Sequence, residues 1–378
     1  MGDEGRLPAG RDATPAPSVP LRVLMIGRPT GRRSRRLLVV VPLALAGLLA
    51  AACGGSDPAL APAPGTAAAA ANDLSGVTLR FGDQVNGVRS VLEASGELED
   101  TPYKIEWSQF QGGGPTVIAA QTGGDVDLGV MGETPVVFAQ AAHSPVTVVG
   151  AARIVDPAKS NFALVVKKDS PIRSVADLRG ATILNSQGTV SQYLVAKALE
   201  KGGLTTDDVK LVNLQQGAQA AYDRGDIDVI ASGGPPLAMM LAKGTDRVLM
   251  TGTGVLPGVN YLVARNGALS DAGLSDAIGD FLGRLAQAQD WYNAHPDAAI
   301  AIVKPTYKVD DTVARALIDL APLRYVPIDR TVTDAHQREA DFFADQGVLK
   351  AKIDTSTVFD DRYNPIINAV AQGRPGPS

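Results

Sequence analysis

One pattern of glycine, aspartate and proline occurs twice in the chain, 101 residues apart. The matched positions are Gly124-Asp125-Val126-Asp127, Gly132 and Pro135 in the first copy, and Gly225-Asp226-Ile227-Asp228, Gly233 and Pro236 in the second. Each copy predicts a tight turn, a buried strand, a glycine loop and a helix that starts near the proline. Two unrelated units with ordinary turn chemistry are the alternative. The ungapped match favours two equivalent αβ units that send their loops to one cleft.

Short strands and helices of about ten residues alternate from residue 77 to residue 231. This alternation predicts βαβ units and a parallel sheet, with ligands bound at the carboxyl ends of the strands. After Tyr261 the pattern changes to long amphipathic helices, expected at 270–293, 313–320, 333–343 and 363–372.

The change of pattern predicts a particular domain organisation. We expect lobe I at 77–163 plus 261–378 and lobe II at 164–260. The chain would cross between the lobes near Leu164 and near Tyr261, which are the predicted hinges.

The first 53 residues are typical of a targeting segment. Five residues that include two arginine pairs, 32–36, precede an apolar run of 16 residues that ends before Cys53, and about 20 residues are needed to span a bilayer. We expect 1–52 to be a signal peptide, Cys53 to carry diacylglycerol and palmitate, and 53–76 to be a flexible tether. A buried lone cysteine or a membrane helix is the alternative. Export by the general or the twin-arginine route stays open, as does the start at Met1 or at Met25, which would leave 1–24 untranslated.

Charge and cysteine content exclude several classes of protein. The formal net charge of −5 divides into +5 over residues 1–52 and −10 over the remainder, which argues against nucleic-acid binding. A single cysteine excludes internal disulfides and cysteine-rich zinc modules. The three histidines, His143, His295 and His336, are far apart, so we expect no metal and no cofactor.

Polar residues and glycines recur where predicted strands end and helices begin. Helix N-termini offer free N–H donors and a positive dipole, and glycine lets an anion approach the backbone. The candidate ligand-binding residues are Gln84, Gly113, Gly114, Thr116, Gly132, Glu133, Thr134, Gly188, Thr189, Gln192, Gly233, Gly234 and Asn260. Neutral donors suit a singly charged oxyanion such as a sulfonate, and would also suit a neutral polar ligand.

Structural roles are the alternative for these residues. Each threonine and glycine could serve only as a cap or in a turn. Glu133 and Asp83 could stabilise a helix dipole or meet a ligand amine. We find no nucleophile paired with a base and no acid–base pair, so we expect no catalysis.

Several motifs carry a resemblance to a known family. They are Phe81-Gly82-Asp83-Gln84, Gly132-Glu133-Thr134-Pro135, Lys168-Asp169-Ser170-Pro171-Ile172, Gln187-Gly188-Thr189 and Arg224-Gly225-Asp226-Ile227-Asp228. The chain resembles the substrate-binding lipoproteins of bacterial importers of the ATP-binding-cassette type, in the aliphatic sulfonate, taurine and nitrate branch (NMT1/THI5-like).

The resemblance implies a fold and a function. The fold would be α/β, of the periplasmic-binding-protein type II, with two αβ lobes, a two-strand hinge and the ligand cleft between them. The protein would capture a sulfonate-like or related organic anion on the extracytoplasmic face of the membrane, held there by its lipid anchor. It would act as a monomer and deliver the solute to a permease and its ATPase. A same-fold biosynthetic enzyme, a binding protein for a thiamine pyrimidine precursor or another solute, and a solute sensor stay open.

One segment departs from the family pattern. Where the family commonly has Trp-Asp-Pro, this chain has Ser232-Gly233-Gly234-Pro235-Pro236. The loss of an indole predicts a roomier cleft on that side and therefore a bulkier ligand than a short alkanesulfonate.

Overall fold

The alternation of strands and helices produces two β-sheets, one of six strands and one of five, in the part of the chain that the structure describes. This computed structural model describes residues 73–84, 86–214 and 217–373. The expected signal peptide, Cys53 and the tether up to residue 72 lie outside these residues. The strands are β1 (Thr78–Asp83), β2 (Lys104–Gln109), β3 (Leu128–Gly132), β4 (Val146–Ile154), β5 (Phe162–Lys167), β6 (Thr182–Leu184), β7 (Lys210–Val212), β8 (Val229–Gly233), β9 (Asp246–Thr251), β10 (Val259–Arg265) and β11 (Leu323–Val326).

The two sheets have the same strand order. The first sheet is ordered β11-β4-β10-β3-β1-β2 and the second β9-β5-β8-β6-β7, so that β11 is the one addition in the first. In each sheet the strand from the 101-residue repeat, β3 or β8, lies beside an antiparallel strand, β10 or β5. The sequence repeat therefore corresponds to a repeat of almost the whole sheet.

The second aspartate of each repeat makes the same contact with the neighbouring strand. The Asp127 N–H donates to the Arg80 carbonyl (2.9 Å), and the Asp127 carboxylate accepts the Arg80 N–H (3.1 Å). Asp228 makes both bonds with Thr182, at 2.9 and 2.8 Å. In each copy the aspartate bonds the neighbouring strand through both its backbone N–H and its carboxylate, and so fixes the register of the two strands. This shared contact explains why both copies carry aspartate at that position.

The prediction of purely parallel sheets is wrong for the crossing strands. β5 is antiparallel to β8 and β9, and β10 is antiparallel to β3 and β4. Two parallel strands that follow each other in one sheet need a crossover connection between them. β5 and β10 have none, because each enters its sheet by a short connection from the other sheet. These connections are 155–161 and 252–258, each ending three residues before Leu164 or Tyr261, which themselves lie inside strands.

Helices cover the sheets and form most of the chain after β10. They are α1 (Gly87–Ser95), α2 (Gly114–Gly123), α3 (Glu133–Ala141), α4 (Val190–Lys201), α5 (Ala218–Arg224), α6 (Gly234–Ala242), α7 (Asn266–Leu269), α8 (Ala272–Ala294), α9 (Pro296–Tyr307), α10 (Asp311–Leu320), α11 (Arg330–Asp345) and α12 (Asn364–Ala371). The sequence analysis did not predict β9, β11 or α9. α9 has proline at its start and again at Pro305 in its last turn, which obscures its helical pattern.

Both faces of each sheet are buried. Along β10, Tyr261 and Val263 contact one apolar core, and Leu262 and Ala264 contact another. β5 alternates in the same way between two cores of the second sheet. Side chains of a strand point alternately to opposite faces, so these continuous apolar runs are those of central strands with helices on both sides.

Candidate ligand-binding site

A cavity of about 560 Å³ lies where the carboxyl ends of strands from both sheets meet. Asp83, Gln84 and Gly132 line it from the side of the first sheet. Phe162, Pro235 and the loop and helix residues Ser186, Gln187, Thr189, Val190 and Ser191 line it from the side of the second sheet. Small-molecule pockets usually measure roughly 300–1,000 Å³.

Five helices start at this cavity: α1, with Gly87 and Val88 in the lining, α6, with Pro235, and α2, α3 and α4. α2 presents Gly113 and Gly114, α3 follows directly on Gly132, and α4 presents Thr189 and Val190. The first N–H groups of a helix have no partner within it, and the helix dipole is positive at that end. The N-termini of α2, α3 and α4 therefore form a place for an anionic or strongly polar group without any basic side chain.

Glycines allow these N-termini to approach each other. A Cβ on Gly114 would lie 2.4 Å from Pro135 on α3, and a Cβ on Gly132 would lie 2.5 Å from Val190 on α4. The second of these contacts joins the two sheets. A side chain at either glycine would force the N-termini apart.

Six of the thirteen candidate residues line the cavity: Gln84, Gly113, Gly114, Gly132, Thr189 and Asn260. The Gln84 amide donates to the Val130 carbonyl (2.7 Å), which orients its side chain. The Thr189 hydroxyl donates to the Ser186 carbonyl (2.7 Å). A ligand at Thr189 therefore meets the lone pairs of the hydroxyl oxygen and the N–H groups at the start of α4.

The structure places the other candidates outside the lining of this cavity. The Thr116 hydroxyl donates to the Gly113 carbonyl (2.7 Å), and the Gly188 N–H donates to the Gln192 side chain (2.7 Å). Gly188 and Gln192 line a different surface depression together with Phe138. Thr116, Gly188 and Gln192 therefore hold the loops and helix starts in shape, which is the capping alternative noted from the sequence.

The two glycines that replace the family's Trp-Asp have different surroundings. A Cβ on Gly233 would lie 2.6 Å from the ring of Phe162, so that ring fills the space beside Gly233. A Cβ on Gly234 would have no neighbouring atom within 4 Å. The expectation of extra room at this segment therefore fails at Gly233, where Phe162 takes the space and itself lines the cavity.

Glu133 and Thr134 belong to a buried polar cluster, which we define as Glu133, Thr134, Tyr261, His336 and Glu339. The Thr134 hydroxyl donates to the Glu339 carboxylate, and the His336 ring meets the Tyr261 ring edge-on at 5.4 Å. Burial raises the pKa of Glu133 to about 7, and burial together with the charge of Glu133 raises the pKa of Glu339. Burial lowers the pKa of His336 to about 3, so it is neutral.

Several polar atoms of this cluster have no hydrogen-bond partner within the described part of the chain. They are Glu133 Oε1, Glu339 Oε2, Tyr261 Oη and both ring nitrogens of His336. Such groups carry a desolvation cost. Glu133 and Thr134 stand in the first turn of α3 and Glu339 stands in α11, so the cluster links these two helices, and its members do not line the cavity.

Sequence reasoning missed the side of the cavity formed by the C-terminal helices. Tyr292, Tyr307 and Tyr325 line it, together with the apolar residues Leu285, Ile302, Val303, Leu317, Ile318 and Leu323. These residues follow no loop motif. The only indication in the sequence was Tyr292 and Tyr307, which lie on amphipathic helices. The sequence alone does not distinguish such tyrosines from ordinary core residues.

The cavity has an unusual charge. Asp83 is the one charged side chain among the described residues that line it, and no lysine, arginine or histidine is present there. Asp83 Oδ2 accepts the N–H groups of Val88 (3.1 Å) and Arg89 (3.3 Å) at the start of α1. This lining therefore offers a ligand carboxylate neither a bidentate arginine nor a lysine ammonium group.

Residues 73–84, 86–214 and 217–373 contain neither a metal-binding cluster nor a helix that could cross a membrane. No set of three or more histidine, cysteine, aspartate and glutamate side chains there is arranged to hold a metal ion. None of the helices in those ranges combines the length and the apolar character that a membrane crossing requires.

The chain matches a known protein family, curated relatives and solved structures. The family model described as NMT1/THI5 like matches residues 109–299. A putative aliphatic sulfonates-binding protein of Escherichia coli (strain K12) is 30% identical over 83% of this chain and 94% of its own length. The alkanesulfonate-binding protein SsuA from Xanthomonas axonopodis pv. citri, solved bound to MOPS, superposes with a TM-score of 0.67 at 27% identity, covering 75% of this chain and 98% of that one. The desulfurization enzyme DszB shares the fold at 16% identity, with a TM-score of 0.56 over 79% of this chain and 99% of its own.

Two αβ sheets of equal strand order, crossed twice by the chain and enclosing a cavity at their carboxyl edges, define a solute-binding protein with the periplasmic-binding-protein type II fold. Within that class the chain belongs to the NMT1/THI5 like family.

Proposed function

We propose that this protein is the extracytoplasmic solute-binding component of an ATP-binding-cassette importer, and that it captures an organic sulfonate and delivers it to the membrane permease. The observation that carries this proposal is the convergence of the α2, α3 and α4 N-termini on a cavity without basic side chains. A sulfonate is weakly basic and carries one charge spread over three oxygens, so several N–H donors satisfy it without an ion pair. The names of the two sulfonate-binding relatives support the same ligand class.

The size of the cavity favours a sulfonate with a substantial organic group. The sulfonate would meet the helix N-termini, and the organic part would lie against the tyrosines and aliphatic residues of α8, α9 and α10. Burial of apolar surface contributes about 25 cal/mol per Å², so this contact would supply much of the affinity.

The proposal includes a hinged capture mechanism. We place the two lobes on the two sheets and move the hinge from Leu164 and Tyr261 to the connections 155–161 and 252–258. Ligand would bind between the lobes and hold them together, as expected for a protein whose cavity is lined by both. Scattering with and without ligand should show a smaller radius of gyration in the complex.

A lipid anchor on Cys53 and a monomeric state complete the proposal. The position of the single cysteine after a basic and apolar segment supports the anchor. Cys53→Ser should release the protein from the membrane fraction or leave its signal uncleaved. A variant that stays fully membrane-bound with a processed N-terminus would contradict the anchor.

We propose that the protein is not an enzyme, although DszB shares its fold. The chain between residues 73 and 373 contains no cysteine. The serines and the two threonines of the cavity lining have no histidine or lysine beside them in that lining to act as a base. Incubation with an aryl sulfinate or sulfonate should release no sulfite above the background rate.

A thermal-shift screen of the purified protein tests the proposed ligand class. The panel holds alkane-, cycloalkane- and arylsulfonates, nitrate, and a hydroxymethylpyrimidine for the thiamine-precursor alternative. A ligand that binds the folded form alone stabilises it by about 2.7 kcal/mol at a hundredfold excess over Kd. Stabilisation by the pyrimidine and by no sulfonate would contradict the proposal.

A further inference from the structure

The start of α3 serves two polar environments at once. Gly132 lines the cavity, whereas Glu133, the next residue and the first of α3, is 3% exposed and belongs to the buried polar cluster. The positive end of a helix dipole stabilises negative charge within the first turn. An anion in the cavity and an ionised Glu133 would therefore be stabilised by the same helix end.

The surroundings of Glu133 supply no positive charge to compensate it. The elements packed against α3 are α2, α4, α11, β3, β10 and the short turn Thr355–Val358, and α2, β3 and the turn carry no titratable residue. The titratable groups that the other elements bring to this region are Glu339 and His336 on α11, Tyr261 on β10 and Tyr193 on α4. His336 is neutral, and Arg338 of α11 acts on the pKa of Tyr193 but on that of neither glutamate.

The ionised form of Glu133 uses what an anion in the cavity would need. The backbone N–H of Glu133 favours the ionised form of its own carboxyl group, while burial raises the pKa of that group to about 7. This N–H is the first of α3 and has no partner within the helix. A protonated Glu133 leaves the N–H and the helix dipole to a ligand, so the protonated form should bind an anion more tightly.

We infer that Glu133 sets the anion affinity through its protonation, so that the protein takes up a proton at Glu133 when it binds its sulfonate. This inference rests on the proposed function and adds a regulation to it. By reciprocity, an anion that favours the protonated form must bind more weakly once Glu133 ionises. Kd should be nearly constant below about pH 6 and rise above about pH 7. If the bound anion raises the pKa of Glu133 by about one, Kd is about five- to tenfold higher at pH 8.5 than at pH 6.

The competing explanation is that Glu133 only completes the first turn of α3, in which case Kd is the same at every pH. Calorimetric titration of the purified protein with hexane-1-sulfonate and with benzenesulfonate between pH 6 and pH 8.5 separates the two. Both probes are ionised throughout this range, so any pH dependence belongs to the protein. Titration at pH 7.5 in phosphate and in imidazole, whose ionisation enthalpies differ, counts the protons taken up; we expect about half a proton per ligand. Sulfonate buffers are left out because they belong to the proposed ligand class.

Three variants assign the proton. Glu133→Gln cannot ionise, so it should bind at every pH about as the wild type does at pH 6, without proton uptake. Glu339→Gln removes the neighbouring buried carboxyl group and should keep the uptake. Glu99→Gln, which removes an exposed carboxylate, should behave as the wild type.

Each outcome decides the question. A Kd that rises with pH, with proton uptake that is lost in Glu133→Gln and kept in Glu339→Gln, supports the inference. A wild type without pH dependence and without uptake overturns it and leaves the proposed sulfonate function standing; this result needs no variant to fold. Uptake that persists in Glu133→Gln, or disappears in Glu339→Gln, also overturns it. Binding of neither sulfonate at pH 6 overturns the proposed function, and the inference with it. Circular dichroism and melting temperature at each pH check that every protein is folded.

Discussion

The hydroxyl of Thr134 donates a hydrogen bond to the carboxylate of Glu339, which lies 205 residues further along the chain. Both residues are fully buried. The bond joins the first turn of α3 to α11, and the same turn follows Gly132 in the lining of the cavity. The bond therefore connects a helix start at the cavity to a buried acid that does not line the cavity.

This arrangement predicts that the protein loses stability as pH rises. The raised pKa values of Glu133 and Glu339 mean that the folded state keeps protons that the unfolded chain releases near pH 4.5. The free energy of unfolding should therefore fall from about pH 5 through about pH 7. Glu339→Gln keeps an acceptor for Thr134, so it should flatten this slope and raise stability at pH 8 by about 1–3 kcal/mol.

Urea denaturation at pH 5 and pH 8 measures this effect, with Glu99→Gln, an exposed carboxylate, as the control. Because His336 acts in the opposite direction below pH 6.5, the decisive quantity is the difference between variant and wild type. A Glu339→Gln variant that shows the wild-type change in stability between the two pH values would contradict the titration of Glu339.

His336 should produce the opposite dependence at low pH. Its pKa is lowered to about 3, so the unfolded chain binds a proton near pH 6.5 that the folded state does not accept. Stability should fall as pH drops from 6.5 towards 3. His336→Phe keeps an aromatic ring against Tyr261 and Phe359 and should move the midpoint of acid unfolding to lower pH. An unchanged midpoint, followed by tryptophan fluorescence, would assign acid unfolding to other groups.

The sequence was sufficient for the parts of the fold that are repeated locally. Asp127 and Asp228 stand at equivalent positions of two turns, and the strands they fix occupy the same place in their sheets. The direction of β5 and β10 could not be predicted in this way, because it depends on the chain passing from one sheet to the other.

The site was predictable where it consists of loops and helix starts, and not where it depends on distant partners. Gly114 and Thr189 were found because turn and cap chemistry is local. Thr134 shows the same local pattern, but Glu339 occupies its hydroxyl, and no nearby residue indicates this. Tyr307 reaches the cavity through the packing of α9, which has no motif.

Thr189 and Thr134 should therefore respond differently to truncation. Thr189→Ala removes the hydrogen bond to Ser186 that shapes the start of α4 in the cavity lining, and should weaken sulfonate binding about three- to tenfold, with less effect on stability. Thr134→Ala removes the donor to Glu339 and should lower the free energy of unfolding by about 1–3 kcal/mol, with affinity changed less than twofold. Titration calorimetry and urea denaturation on both variants give the two quantities. Loss of affinity in Thr134→Ala at unchanged stability would return Thr134 to the binding site.

The contact between Gly132 and Val190 should control how closely the two sheets approach. Gly132 has φ −71° and ψ 176°, which alanine adopts freely, so Gly132→Ala introduces no backbone strain. The added methyl would lie 2.5 Å from Val190 Cγ2 at the start of α4, which packs on the other sheet. Each sheet can keep its own core, so we expect a small change in melting temperature and at least a tenfold loss of ligand affinity.

Val190→Ala removes the opposing methyls and should restore much of the affinity in the double variant, with a coupling of about 0.5–3 kcal/mol between the two positions. Additive effects of the two substitutions on binding would show that this contact does not limit the approach of the sheets around the ligand.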